Sequence, residues 1–79
     1  MLVAVSDVDP MLSSVKWRVE VTPRARGPTR LCRTGALMQT TVVHDGVHEI
    51  GVVCYDDEIA RFAAAAPLGS PVVIRNAFV

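Results

Sequence analysis

Between Leu37 and Val79 the residues spell out a strand, a turn, a second strand, a short helix and a further strand. The turn is His44-Asp45-Gly46, because Asp-Gly tolerates the positive φ angles that a tight hairpin requires. Val47 to Tyr55 returns as the partner strand, with Ile50, Val52 and Cys54 on one face and Gly51, Val53 and Tyr55 on the other. The first set is the better core candidate. Asp56 or Asp57 then caps a helix in which Ile59, Phe62, Ala63 and Ala66 form one apolar stripe. Asp56-Asp57-Glu58 suits the positive end of the helix dipole, and Pro67 and Gly69 stop the helix. Pro71 opens the last strand, Val72 to Val79, whose unbroken Val72-Val73-Ile74 run predicts burial on both sides or a barrel position. This order leaves room for little except a small, mainly β fold.

The upstream half supplies the rest of the sheet. Val15, Trp17, Val19 and Val21 alternate with Lys16, Arg18, Glu20 and Thr22, the period of a half-buried strand. Trp17 lies on its apolar side and is read as core. Two prolines and a glycine between Pro23 and Pro28 break that strand and place Arg24 and Arg26 in a loop, where long side chains can reach a ligand. Leu31 to Val43 reads as a second extended region, bent or bulged at Gly35 in the way that suits a small barrel. Residues 1–14 form an extended arm that turns near Asp9-Pro10.

Seventy-nine residues make a single domain, residues 1–79, and a hydrophobic share of 51% is ample for its core. That core is aliphatic, since the aromatic residues are only Trp17, Tyr55, Phe62 and Phe78. Phe62 belongs to the helix stripe, Phe78 has no assigned place, and packing is the default for Met38. The formal net charge is zero but unevenly spread: Lys16, Arg18, Arg24, Arg26, Arg30 and Arg33 precede a stretch from Thr34 to Ala60 that holds five acids and no Lys or Arg. A basic stripe is the footprint of phosphate binding, and a solvated arginine-rich loop is the alternative.

Cys32 and Cys54 are expected as free thiols, and no run approaches the ~20 apolar residues of a membrane span. An intracellular, soluble location is therefore expected. Cys32, Cys54, His44 and His48 offer four zinc-ligand types, but without a Cys-x-x-Cys knuckle the histidines are better read as flanking a hairpin turn. The chain shows no nucleophile with its base, no glycine-rich phosphate loop and no EF-hand. Neither an enzyme nor a cofactor or metal site is expected. Tyr55 stands on the strand face away from the core, where it can either stack on a nucleobase or cover the barrel rim.

Val5-Ser6-Asp7-Val8-Asp9-Pro10, Lys16-Trp17 with Val19, Val21 and Thr22, Gly35-Ala36-Leu37, the Asp45-Gly46 hairpin, Ile50 through Asp56, Arg61-Phe62, Leu68-Gly69 and Ile74 follow one another in this order. Together these fragments resemble the single-stranded-DNA-binding OB-fold domains of the replication protein A large subunit. The resemblance implies a small, partly open Greek-key barrel with one short helix between strands 3 and 4, and a binding groove on strands 2 and 3. It implies that Tyr55 stacks on a base and that Arg24, Arg26 and Arg30 belong to the loop that closes over the bound strand. Gly51 falls where related domains can place a basic residue, and Arg30 stands near the position of a loop aromatic. The resemblance stops in strand 4, so a fifth strand is expected to be missing, with the arm, a second copy or another subunit pairing with the open edge.

The leading expectation is a non-enzymatic module that binds single-stranded DNA, or less readily RNA, through Tyr55, Arg24, Arg26, Arg30 and Arg33. One stacking residue and a handful of arginines predict weak, salt-sensitive binding, and the resemblance implies a nuclear role in DNA replication or repair. The alternative is a protein-interaction OB domain within a larger complex. There the groove or open edge takes a peptide, and nucleic acid is not bound directly.

Overall fold

The computed structural model describes residues 2–8 and 17–75. The turn expected at Asp9-Pro10, the strand start at Val15 and the end of the last strand with Phe78 lie outside the described residues. Six strands and one helix follow in order: β1 (Leu2–Val3), β2 (Arg18–Arg26), β3 (Arg30–Leu31), β4 (Leu37–His44), β5 (Glu49–Tyr55), α1 (Asp57–Ala65) and β6 (Val72–Arg75). A single 3-10 turn, Val5–Asp7, follows β1. The protein is mainly β, a small, partly open barrel of the OB kind with one short helix between β5 and β6. No helix among the described residues is long and apolar enough to cross a membrane.

The long strand β2 holds the two halves of the sheet together. Its first part pairs antiparallel with β6, Arg18 opposite Arg75 and Val21 opposite Val72, and parallel with β1 at Arg18 and Val19. Its second part pairs antiparallel with β4 from Thr22 opposite His44 to Arg26 opposite Thr41, with a bulge between Pro23 and Ala25. The loop expected over Pro23 to Pro28 is thus corrected, because the strand runs on to Arg26. Proline is tolerated where a bulge already interrupts the ladder. Pro23 is fully buried there, and its carbonyl accepts from Gly69 N at 2.8 Å.

The extended region expected from Leu31 to Val43 is two strands, not one bent strand. Gly35, at φ +86°, sits in a tight turn between β3 and β4, held by Cys32 N to Ala36 O at 2.8 Å and Gly35 N to Cys32 O at 3.0 Å. β4 then pairs with β5 in full register from Met38 opposite Tyr55 to His44 opposite Glu49. Their connection is the expected Asp45-Gly46 turn, with Gly46 at φ +95°. Asp45 Oδ1 accepts from Val47 N and His48 N, both at 2.9 Å, and Asp45 Oδ2 accepts from Val5 N at 2.9 Å. One carboxylate therefore shapes the hairpin and ties the N-terminal turn to it.

Val5, Trp17, Val19, Val21 and Val43 form the buried core, with Val3, Val8, Ile50, Val52, Val72 and Ile74 packed against them. Alternation along β5 holds as expected, with Ile50, Val52 and Cys54 half-buried and Gly51, Val53 and Tyr55 exposed. On β6 it is the barrel position and not two-sided burial that the strand takes: Val72 and Ile74 face the core while Val73 is 45% exposed. The helix stripe is as read, Ile59, Phe62 and Ala63 being half-buried and Ala66 buried. Asp56 occupies the position before the helix but makes no side-chain cap. It holds the left-handed φ of 47°, donates its N–H to Leu37 O at 2.9 Å and accepts from Leu37 N at 3.0 Å through Oδ1. The carboxylate spends itself on β4 instead of on the helix.

Candidate nucleic-acid interface

Directly opposed residues in an antiparallel pair project from the same face of the sheet. Arg30 opposes Met38 across β3 and β4, and Met38 opposes Tyr55 across β4 and β5. These three side chains therefore form one row across the outer face of three strands. Tyr55, 52% exposed, ends the row at the start of the helix. Thr40 opposite Val53 and Val42 opposite Gly51 continue the same face. A β-carbon at Gly51 would lie 3.1 Å from Thr40 Cγ2, so glycine keeps this floor flat where a side chain would push Thr40 aside. Beside it Gly27, Pro28, Arg30, Met38 and Thr40 line a shallow hollow of roughly 320 Å³.

The four expected arginines divide into two pairs. Arg24, the bulge residue of β2, forms an ion pair through Nε with the Glu49 carboxylate. Arg26 donates from Nη2 to the Ala66 carbonyl just beyond α1 and from Nε to Thr41 Oγ1 at 3.3 Å. Arg24 and Arg26 lie on strand β2 and not in a loop, and each has an intramolecular partner. Arg30 on β3 and Arg33 in the β3–β4 turn are exposed and make no hydrogen bond or ion pair within the described residues. Both stand on the one hairpin beside Met38 and Tyr55. The sequence reading missed Arg75, which opposes Arg18 across β2 and β6 and sets two exposed cations side by side, with Glu20 two residues further along the same face. Only the register reveals that juxtaposition.

Other titratable groups take structural roles. Three backbone N–H donors, His48 first, then Val5 and Val47, hold the Asp45 carboxyl down to about 2. Burial, with a smaller contribution from Glu58, pushes the Cys54 thiol up, which keeps it protonated on the inner face of β5. Cys32 and Cys54 are both free thiols. His44 Nδ1 accepts from Gly46 N at 3.2 Å, within its own turn. Among the described residues no three His, Cys, Asp or Glu side chains gather as a metal site, so the zinc reading of Cys32, Cys54, His44 and His48 is not assembled.

No protein-family model, curated protein or solved structure matches this chain. Any reading of function therefore rests on the fold and on the geometry of this face.

Proposed function

We propose that the domain binds single-stranded nucleic acid, DNA in preference to RNA, across the outer face of β3, β4 and β5. It is a binding module and not an enzyme. The observation that carries the reading is the row Arg30, Met38, Tyr55, which aligns a cation, a polarizable thioether and an exposed aromatic ring on one flat face. A base stacks on Tyr55 and lies along Met38, while phosphates meet Arg30 and Arg33. Asp57 and Glu58 begin the helix next to Tyr55, and their charges direct the phosphates toward the β3 side of the row. The likeness to replication protein A domains would give such a module a place in nuclear DNA replication or repair.

The experiment is an oligo-dT titration followed by anisotropy at several salt concentrations. Two free arginines predict a slope of log Kobs on log salt of about −1.4, against about −2.8 if all four reached phosphates. Tyr55→Ala should weaken binding by ~1–3 kcal/mol, and Arg30→Ala should flatten the slope where Arg24→Ala leaves it unchanged. Absence of binding at low salt would end this reading.

A further inference from the structure

The barrel has a seam. Among the described residues β5 pairs only with β4 and β6 only with β2, so the outer edge of each strand has no neighbour. Between these edges lies an apolar cleft of roughly 560 Å³, with Val8, Trp17, Val19, Val52 and Ile74 in its walls. The described part of the N-terminal arm does not close it, because β1 pairs with β2, although Val8 reaches the wall.

Sheet edges in monomeric proteins are kept short, or are blunted by proline or lysine. β1 and β3 have two residues each, and β6 has four and follows Pro71. β5 has seven residues, no proline, no lysine and one charge, Glu49, at its first position. It is the unprotected edge. The ends of the β4–β5 ladder show which of its groups are available. Asp45 N bonds to His48 O and Asp56 N to Leu37 O, so even-numbered residues turn their N–H and C=O toward β4. Glu49, Gly51, Val53 and Tyr55 turn theirs to the open side, and the last three line the cleft.

We infer that the seam receives one extended polypeptide strand from another protein, which completes the barrel by main-chain pairing. Unpaired amides and carbonyls select a peptide backbone over a lipid, and walls without a charged side chain exclude a phosphate-bearing ligand from the cleft. β5 runs antiparallel to β4 and β4 antiparallel to β2, as does β6, so a strand antiparallel to β6 runs parallel to β5. Its inward residues are aliphatic and alternate with polar ones. Its first residue falls beside Arg75, where the Arg18–Arg75 pair calls for a carboxylate on the outer face. The occupant is therefore an acidic residue followed by alternating aliphatic residues.

The probe is the peptide acetyl-Glu-Val-Thr-Val-Thr-Val-Thr-amide, and Trp17 in the cleft wall is the fluorescent reporter. A saturable change in Trp17 emission is expected. Lys for Glu in the peptide, or Pro for its central Val, should weaken the response roughly tenfold or more. Val53→Pro removes one edge N–H without touching the β4 ladder and should do the same, while the proline peptide removes a donor from the opposite side of the same pairing should that variant not fold. No saturable change, or an equal response to the proline peptide, would overturn the inference. So would a concentration-dependent dimer by light scattering that excludes the peptide, which would assign the edge to a second copy of this chain.

Discussion

Arg26 and Arg24 stand two positions apart on β2, yet the fold treats them differently. Arg26 is half-buried and closes the end of α1 by donating to the Ala66 carbonyl, a group that a helix terminus otherwise leaves unsatisfied. Arg24 is exposed, and its ion pair with Glu49 sits in water. Arg26→Ala should lower stability by ~1.5–3 kcal/mol, the range of a hydrogen bond from a charged donor, while Arg24→Ala should cost under ~1 kcal/mol. Urea midpoints for the two variants check the contrast. A linear reading could not separate these residues, because both sit in one Pro- and Arg-rich run and what distinguishes them is 40 positions from Arg26 in sequence. Tyr55 is the opposite case. Period-two alternation placed it on the outer face with no tertiary information, and its exposure agrees.

At the level of elements, β5 and α1 were legible because each repeats one rule over seven and nine residues. The β3–β4 hairpin was not. A glycine within an apparent strand can mark a bulge or a turn, and only the backbone decides between them. Here Gly35 takes φ +86°, and the chain reverses so that Leu31 meets Leu37. This reversal lifts Arg33 to a turn and brings Arg30 beside Met38. A β-carbon at Gly35 meets nothing within 4 Å, so Gly35→Ala pays only for the backbone conformation. The expected loss is ~1–2 kcal/mol by thermal or urea unfolding, with the β4–β5 pairing intact by NMR.

For the whole molecule, closure depends on contacts between distant segments. Val5 is buried in the core, and its N–H is held by the Asp45 carboxylate from the far hairpin. A carboxyl held below its ordinary value stabilises the fold fully above the unfolded value of about 4. That contribution fades as pH falls through the folded value of about 2. Urea midpoints from pH 5 to pH 2 should fall less steeply for Asp45→Asn than for the native protein. The protection factor of the Val5 amide, its exchange corrected for the intrinsic rate at each pH, should fall over the same window in the native protein alone. The open seam belongs to this scale too, since it exists only because β2 carries β4 and β6 in its two halves and leaves β5 and β6 facing one another across the cleft.

The amino-acid pattern by itself determined the mainly β class, the Asp45-Gly46 turn, both faces of β5, the helix stripe and the core position of Trp17. These are short-range properties, set by side-chain period and by the φ angles a residue tolerates. Tertiary structure decided the course of β2 through Pro23, the split at Gly35, the partners of Arg24 and Arg26, the Arg30–Met38–Tyr55 row and the opposition of Arg18 and Arg75. Each depends on strand register between segments far apart in the chain, and a one-residue slip would turn every side chain to the other face.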